Sequence, residues 1–276
     1  RAYGFVFSEL EEKALPALAD CYALTGDPRY AHTAAVLLDA LAAVYPVNRR
    51  GPLDYPASKQ DFDRSGRLQR SYYMVARGLE NYVWTLDLIT ASGELEKPSG
   101  NPKFPTIREH VAANLLRDGS DFCRQWALEG GQLTNGLADY VRGAAYAGLL
   151  LRDSELLRPL LAGPASLRTM LGNNVDRNGF YYEVSTSYSV HTTELYMSMA
   201  EIVDAARRQK LTDAASLYRD PGLAAMADRF FIRRELSGHM PTIGDDGPDR
   251  FWVKPSQRLS DPARPTLSDR YFDSQL

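Results

Sequence analysis

The chain has 276 residues, of which 44% are hydrophobic and 24% are charged, and its net charge is −3. This composition is typical of a globular protein with a sizeable core. Lys and Arg form no basic block, which argues against nucleic acid as the main partner. No apolar run approaches the roughly 20 residues that span a bilayer, so no membrane partner is expected. The chain begins at Arg1 rather than Met, and we expect an upstream segment to have been removed.

The first third of the chain predicts paired helices. Ser8 can cap a first helix whose apolar residues recur at helical spacing, and Gly26 and Pro28 end it and open the next. The second helix is predicted over residues 30–45, because Pro46 stops it. A polar loop rich in Pro, Gly and Asp follows over residues 48–67. Loops of that length are usually functional or disordered.

The remaining pattern is also helical, and its only predicted strand is short. The strand covers Gly179–Val184, and residues 238–276 carry no clear helix. The antiparallel helices that follow from this pattern could form a bundle, a solenoid or an (α/α) toroid, and the lack of a fixed repeat argues against a solenoid. The further predicted helices cover residues 69–90, 107–116, 120–126, 137–151, 155–161, 165–171, 186–208 and 221–236.

Polar side chains concentrate over residues 178–194, where the strand turns into a helix. Thr186 or Ser187 is the predicted N-cap. Tyr188 and His191 are three residues apart and therefore share one side of the first turn. Leu195, Met199 and Ile202 continue that side into the core. Two interpretations stay open: an active-site rim whose positive helix end receives an anionic substrate, or a Tyr and a His that merely cap the core.

Three other groups carry possible chemistry. His191 and Glu194 have a spacing that can bind a metal, but no second His-based pair accompanies them, so no metal is predicted. The Gly-rich turn around His239, Asp245 and Asp246 can bind calcium, supply glycosidase carboxylates or be structural. Asn135 opens a helix after a Gly-Gly break and can be simply its cap. The two cysteines, Cys21 and Cys123, form either one disulfide or two free thiols.

Five segments in chain order are similar to one enzyme family. They resemble the heparinase II/III-like and oligoalginate lyase superfamily of polysaccharide lyases, and together they span most of the chain. The segments are Leu18–Tyr30; Gly66–Tyr73 with Leu86–Ile89; Asn135 with Ala144–Leu151 and Asp153–Leu156; Asn178–Tyr188, which reads Asn-Gly-Phe-Tyr-Tyr-Glu-Val-Ser-Thr-Ser-Tyr; and Pro241–Asp246, which reads Pro-Thr-Ile-Gly-Asp-Asp.

The resemblance implies a mainly α protein, an incomplete (α/α) toroid over residues 1–237. In relatives an antiparallel β-sandwich follows, and residues 238–276 would lead toward it. The chain stops about where that domain begins, so the sandwich is either truncated or absent here. No cofactor is implied for this chain, although a divalent metal can belong to the missing β-domain. The substrate implied is an anionic polysaccharide of the alginate or glycosaminoglycan type, and the location is secreted or periplasmic.

The resemblance also assigns roles to residues. Tyr188 matches the catalytic tyrosine of a β-elimination, and Asn135 matches the asparagine that neutralises the uronate carboxylate. Many relatives have His directly after each of these residues, where this chain has Gly136 and Ser189, so His191 and His239 are the candidate bases. The residues expected to contact the substrate are Gln69, Arg70, Tyr73, Tyr140 and Glu183.

Two other functions fit the sequence. A toroid-type glycoside hydrolase would use Asp245 or Asp246 together with Glu183 as its paired carboxylates. A non-catalytic helical module would bind sugar without turnover, having lost activity with Gly136 and Ser189.

Overall fold

The computed structural model describes residues 8–48, 67–68, 73–129, 133–183 and 185–228. These residues fall into two compact units. Unit 1 draws on Arg1–Gly131 and Asp139–Leu160, and unit 2 draws on Gln132–Ala138 and Leu161–Leu276. The described residues are mainly helical, which confirms the prediction of a mainly α protein. The prediction of one domain over residues 1–237 stays a prediction.

Most of the predicted helices form with nearly the predicted bounds. One difference concerns residues 107–129, where two predicted helices are joined through a π-helical segment, Ala112–Arg117. A similar segment, Leu10–Ala14, precedes the first helix. The helices are α1 (Leu15–Thr25), α2 (Pro28–Val44), α3 (Met74–Ile89), α4 (Ile107–Val111), α5 (Asp118–Glu129), α6 (Asn135–Leu150), α7 (Ser154–Ala162), α8 (Leu167–Asn174) and α9 (Thr186–Arg208), with residues 221–228 also helical.

The turn between α1 and α2 follows directly from its residues. Gly26 adopts a left-handed backbone (φ 71°), and its N–H donates to the carbonyl of Tyr22, which closes α1. Asp27 then caps α2 by accepting from the N–H of Arg29 at 3.0 Å, and Pro28 occupies the first turn, where its missing N–H has no cost. The two helices are therefore antiparallel neighbours.

Contacts within unit 1 also fix helix directions. Along α2, Asp39 meets His110 and the carbonyl of Ala42 accepts from Asn114, so α2 runs in the same direction as the chain from α4 to α5. At the end of α2, the Tyr45 hydroxyl lies beside Gly119, one turn further on. Gly119 lies inside α5, where its lack of a side chain leaves room for Tyr45.

Helices α1 and α3 also run in the same direction. Glu11, which is 3% exposed just before α1, lies against Gly78 near the start of α3 and accepts a hydrogen bond from the Tyr82 hydroxyl. Asp20, further along α1, accepts from the indole N–H of Trp84 at 3.0 Å. Unit 1 thus contains one pair of like-directed helices, α1 and α3, and a second like-directed pair formed by α2 and the segment from α4 to α5.

A buried histidine connects α2 with the loop that precedes α4. His110 is 0% exposed, its Nδ1 lies 2.7 Å from Asp39 Oδ1, and its ring stacks on Phe104 at 4.7 Å. Asp39 also accepts from the Ser99 hydroxyl and the Gly100 N–H, each at 2.7 Å. Although burial acts to raise it, these hydrogen bonds lower the pKa of Asp39. Ser99 and Asp39 both meet the same ring nitrogen, so the arrangement is not that of a serine-hydrolase triad, which uses both nitrogens.

In unit 1, α3 and the part of α6 that begins at Asp139 carry four charged side chains that lie close together. Asp139, only 1% exposed, receives Arg77 Nη2 at 3.0 Å and Arg142 Nη2 at 3.4 Å. Glu80 Oε1 lies 2.7 Å from Arg142 Nε, but the N–H is not aligned on the oxygen as a hydrogen bond. Burial is therefore the dominant influence on Glu80, and it raises the pKa of that carboxyl to about 7 despite the nearby arginines.

The predicted strand over Gly179–Val184 is wrong for its described residues. Only Tyr181 pairs, through a single antiparallel bridge with Val175. The preceding residues form a tight turn in which Asp176 Oδ1 accepts from the N–H groups of Asn178 and Phe180. Gly179 completes it with a left-handed backbone (φ 76°). The turn includes Gly179 and Phe180, the first two residues of the predicted strand.

The last predicted helix, the C-terminal irregular segment and the long loop lie partly or wholly outside the described residues. Of the predicted helix over residues 221–236, residues 221–228 are described and helical. The irregular segment over residues 238–276 and most of the loop over residues 48–67 are outside the described ranges. No helix in the described part of the chain has both the length and the apolar character needed to cross a membrane.

Candidate functional site

The N-terminus of α9 carries the predicted catalytic tyrosine. Its N-cap is Ser185, whose side chain accepts from the N–H of Tyr188 at 3.4 Å. The predicted caps, Thr186 and Ser187, are therefore wrong. An N-cap needs a non-helical backbone, which Ser185 has (φ −89°, ψ 138°), whereas Thr186 and Ser187 already belong to the helix. The Ser187 hydroxyl instead lies 3.0 Å from that of Ser185.

Tyr188 and His191 lie at the edge of a buried stripe, as the spacing predicts. Tyr188 is 36% exposed and His191 is half-buried. Leu195, Met199 and Ile202 continue the stripe and are each at most 1% exposed. The phenol of Tyr188 is therefore accessible on the first turn of the helix, while the helix itself is held by its core residues.

Asn135 opens α6, but it is not the capping residue. The cap is the side chain of Thr134, which accepts from the N–H of Leu137 at 3.3 Å. The Asn135 amide is consequently not required to satisfy the helix end, and the residue is half-buried. This first turn of α6 belongs to unit 2, as does the whole of α9.

Neither helix end carries a charge in its first turn. The first turn of α6 reads Asn-Gly-Leu-Ala and that of α9 reads Thr-Ser-Tyr-Ser. Acidic residues, which commonly occupy such turns, are absent from both. The first turns therefore add no negative charge to the partial positive charge of each N-terminus, which suits an anionic ligand.

One buried asparagine of unit 2 connects three segments around these helix ends. Asn174, 5% exposed, donates from Nδ2 to the carbonyl of Leu133 at 2.6 Å and to the Tyr196 hydroxyl at 3.0 Å. Its backbone carbonyl accepts from the N–H of Tyr182 at 2.9 Å. Leu133 is two residues before Asn135, and Tyr196 lies two turns along α9 from Tyr188. The three contacts join the start of α6, the Tyr182 segment and α9.

Glu183 sits in the Tyr-Tyr-Glu segment, directly after a buried anchor. Tyr181 is 0% exposed, and burial raises the pKa of its phenol. Tyr182 is 49% exposed and its hydroxyl donates to Glu183 Oε1 at 3.1 Å. Burial also raises the pKa of Tyr182, so its hydroxyl remains a hydrogen-bond donor to the carboxylate.

Two predicted substrate-contacting residues belong to unit 1. Tyr140 is 7% exposed and stacks on Trp126 at 5.9 Å, which is the packing of a core aromatic. Tyr73 is 40% exposed and its ring lies 4.8 Å from the Arg77 guanidinium carbon. The structure thus groups Asn135, Tyr188, His191 and Glu183 in unit 2, and Tyr73 and Tyr140 in unit 1.

The other predicted residues lie outside the described ranges. They are Gln69, Arg70, His239, Asp245 and Asp246. Among the described residues, no three or more His, Cys, Asp or Glu side chains group as a potential metal-ligand set. Cys21 and Cys123 are both free thiols, which decides between the two readings of the cysteines. Burial raises the pKa of Cys123, so it is an unreactive core residue.

The sequence pattern did not single out Asn174, Ser185 or Tyr196. Asn at the end of a helix is ordinary, and only its contacts distinguish Asn174. Ser185 offered a usable signal, since it is the last residue before the apolar helical periodicity with Tyr188 at the N3 position.

No family model matches the chain, and no curated protein sequence matches it significantly. The resemblance to polysaccharide lyases therefore stays an interpretation of the motifs.

Proposed function

We propose that the protein is a polysaccharide lyase that cleaves an anionic, uronate-containing polymer of the alginate or glycosaminoglycan type, outside the cytoplasm. The observation that carries this proposal is the location of Asn135 and Tyr188. Both lie in the uncharged first turns of helices that begin in the same compact unit. The lyase-like motifs name the same two residues.

The chemistry of β-elimination explains these residue types. The proton at C5 of a uronate is weakly acidic, so a donor must stabilise the charge that develops on the adjacent carboxylate. The Asn135 amide and the N-terminus of α6 are donors of that kind. A second group must remove the proton or protonate the departing oxygen, and a phenol beside the bond is suited to both steps. Tyr188 is exposed enough to meet a substrate, and half-buried His191 lies one turn further along α9 as the candidate base.

Helix directions in unit 1 support the finer part of the fold prediction. An (α/α) toroid has an inner and an outer layer, each of like-directed helices, with the two layers opposed. Unit 1 has like-directed α1 and α3, and α2 is antiparallel to α1 and like-directed with the chain from α4 to α5. This is the pairing expected of part of a toroid.

The test is an ultraviolet absorbance assay with alginate, heparan sulfate, hyaluronan, chondroitin and ulvan. Elimination creates a C4–C5 double bond that absorbs, whereas hydrolysis yields reducing ends without it. We expect absorbing products from wild type and at least a 100-fold loss of kcat in Tyr188→Phe, because a proton-transfer group contributes about 10²–10⁴-fold.

Tyr30→Phe is the matched control, since Tyr30 lies in α2 of unit 1 and is half-buried. It should retain wild-type activity, and Tyr188→Phe should keep the wild-type circular dichroism spectrum. Full activity in Tyr188→Phe contradicts the assignment of that residue. Reducing sugar without absorbance indicates a hydrolase instead, and binding without either product indicates a non-catalytic module.

A further inference from the structure

We propose that Asn174 is a positioning residue that holds Asn135 in place for the reaction; this inference rests on the proposed lyase function. Asn174 ends α8 and touches neither Asn135 nor Tyr188 in any described contact. Its side chain instead bonds to the backbone just before Asn135 and to the helix that carries Tyr188.

The tether acts on the short segment that leads into α6. Leu133 and Thr134 form the approach to α6, and both are half-buried, as is Asn135. Thr134 caps α6 from within the same segment and so orders the turn without fixing its location. The bond from Asn174 Nδ2 to the Leu133 carbonyl, at 2.6 Å, attaches this approach to another element. Since Asn135 is two residues further on, the bond limits where its amide can lie.

The other end of the tether is buried. Tyr196, a residue of α9, is 0% exposed. Burial raises the pKa of its phenol, so the hydroxyl stays neutral. The hydroxyl oxygen accepts the second N–H of the same Asn174 amide nitrogen. The backbone carbonyl of Asn174 also accepts from the Tyr182 N–H, a bond that does not depend on the side chain. The side-chain amide alone therefore links the residues before Asn135 to the helix that carries Tyr188.

Two features of Asn174 make this role specific. A carboxylate would have no N–H to donate and would face the Leu133 carbonyl oxygen, and an apolar side chain would leave that carbonyl without this donor. Displacement of a catalytic donor by about 1 Å can lower a rate by roughly 100-fold. We therefore expect substitution of Asn174 to act through Asn135.

The experiment is a double-mutant cycle on kcat with Asn174→Leu and Asn135→Ala. Leu is close to Asn in size and lacks its donors. We expect Asn174→Leu to lower kcat by roughly 10- to 100-fold, with a smaller change in KM. In the Asn135→Ala background the same substitution should lower kcat by less than about threefold, because the group it positions is already gone. Additive losses in the cycle would refute the inference.

Asn173→Ala is the matched control. Asn173 is the exposed neighbour, and its Nδ2 donates to the Thr169 carbonyl at 2.7 Å inside its own helix. It should leave kcat unchanged. If Asn174→Leu fails to fold, Tyr196→Phe serves in its place, since it removes only the hydroxyl that anchors the amide. That variant should give a smaller kcat loss that again vanishes in the Asn135→Ala background, and additive losses would again count against the inference.

Hydrogen exchange distinguishes failure of this inference from failure of the proposed function. Asn174→Leu, or Tyr196→Phe in its place, should speed exchange in the peptide over residues 133–138, and Asn173→Ala should not. This readout needs no turnover. Wild type without lyase activity refutes the proposed function alone, whereas unchanged exchange over residues 133–138 refutes the tether alone.

Discussion

The buried carboxylate of Glu80 is expected to make the stability of the protein depend on pH near neutrality. Burial raises its pKa from the ordinary 4.5 to about 7, so the folded protein favours the protonated form more than the unfolded chain does. A raised pKa stabilises the fold at low pH, and that contribution is lost as the pH rises through about 7. The substitution that isolates this effect is Glu80→Gln, which keeps the shape and removes the titration.

The magnitude follows from the size of the pKa change. Each unit corresponds to about 1.4 kcal/mol, so the rise from 4.5 to about 7 is equivalent to about 3 kcal/mol. The Glu80 side chain is 23% exposed, which makes this an upper value because solvent screens part of the effect. We expect the free energy of unfolding of wild type, relative to Glu80→Gln, to fall by up to about 3 kcal/mol between pH 4.5 and pH 8.

The assay is urea unfolding followed by tryptophan fluorescence at half-unit pH steps, with both proteins measured side by side. Glu155→Gln is the control, since the Glu155 side chain is 74% exposed and its pair with Arg158 lies on the surface. Its unfolding free energy should stay within about 0.5 kcal/mol of wild type throughout. A wild-type minus Glu80→Gln difference that is constant over this range, or that grows with pH, would refute the reasoning.

Two further predictions concern unit 1 and one glycine of unit 2. Gly143→Ala should lower the free energy of unfolding by roughly 2 kcal/mol, because the new Cβ would lie 2.5 Å from the Ala76 carbonyl oxygen. Gly172→Ala should raise the free energy of unfolding by up to about 1 kcal/mol, because a Cβ there would have nothing within 4 Å. Thermal unfolding that ranks the two variants in the opposite order contradicts the packing. Asp39→Asn should cost roughly 2 kcal/mol at pH 7. Because hydrogen bonds hold the Asp39 pKa low, this cost should shrink as the pH falls below about 4, and a pH-independent cost in urea unfolding contradicts it.

The helices were predictable because their signals are local. The bounds of α9, Thr186–Arg208, coincide with the predicted residues. Both signals that predicted it, the apolar spacing and the polar first turn, lie within that one segment. The turn at Gly26 and Pro28 was equally predictable. The strand failed for a related reason: alternation over Gly179–Val184 is a weak signal, and the side chain of Asp176 overrode it by ordering a turn.

The buried polar contacts were not predictable because they join residues far apart in the sequence. Glu11 reads as an acidic residue that favours a helix start, yet it lies buried against Tyr82. His110 carried no motif, and its partner Asp39 is 71 residues away. Asn174 and Leu133 are 41 residues apart. Periodicity places such residues on helices but carries no information about which helix faces which.

The proposed site would bind an anionic substrate without a basic cluster. Asn135 and Tyr188 are neutral, and the first turns that hold them contain no Lys or Arg. The positive ends of α6 and α9 can supply the missing attraction, since each is equivalent to about half an elementary charge. Fixed dipoles of this kind need no reorganisation as charge develops on the substrate carboxylate, whereas a flexible ammonium would have to be ordered first. This arrangement depends on holding the helix ends in place, and that is the role we assign to Asn174.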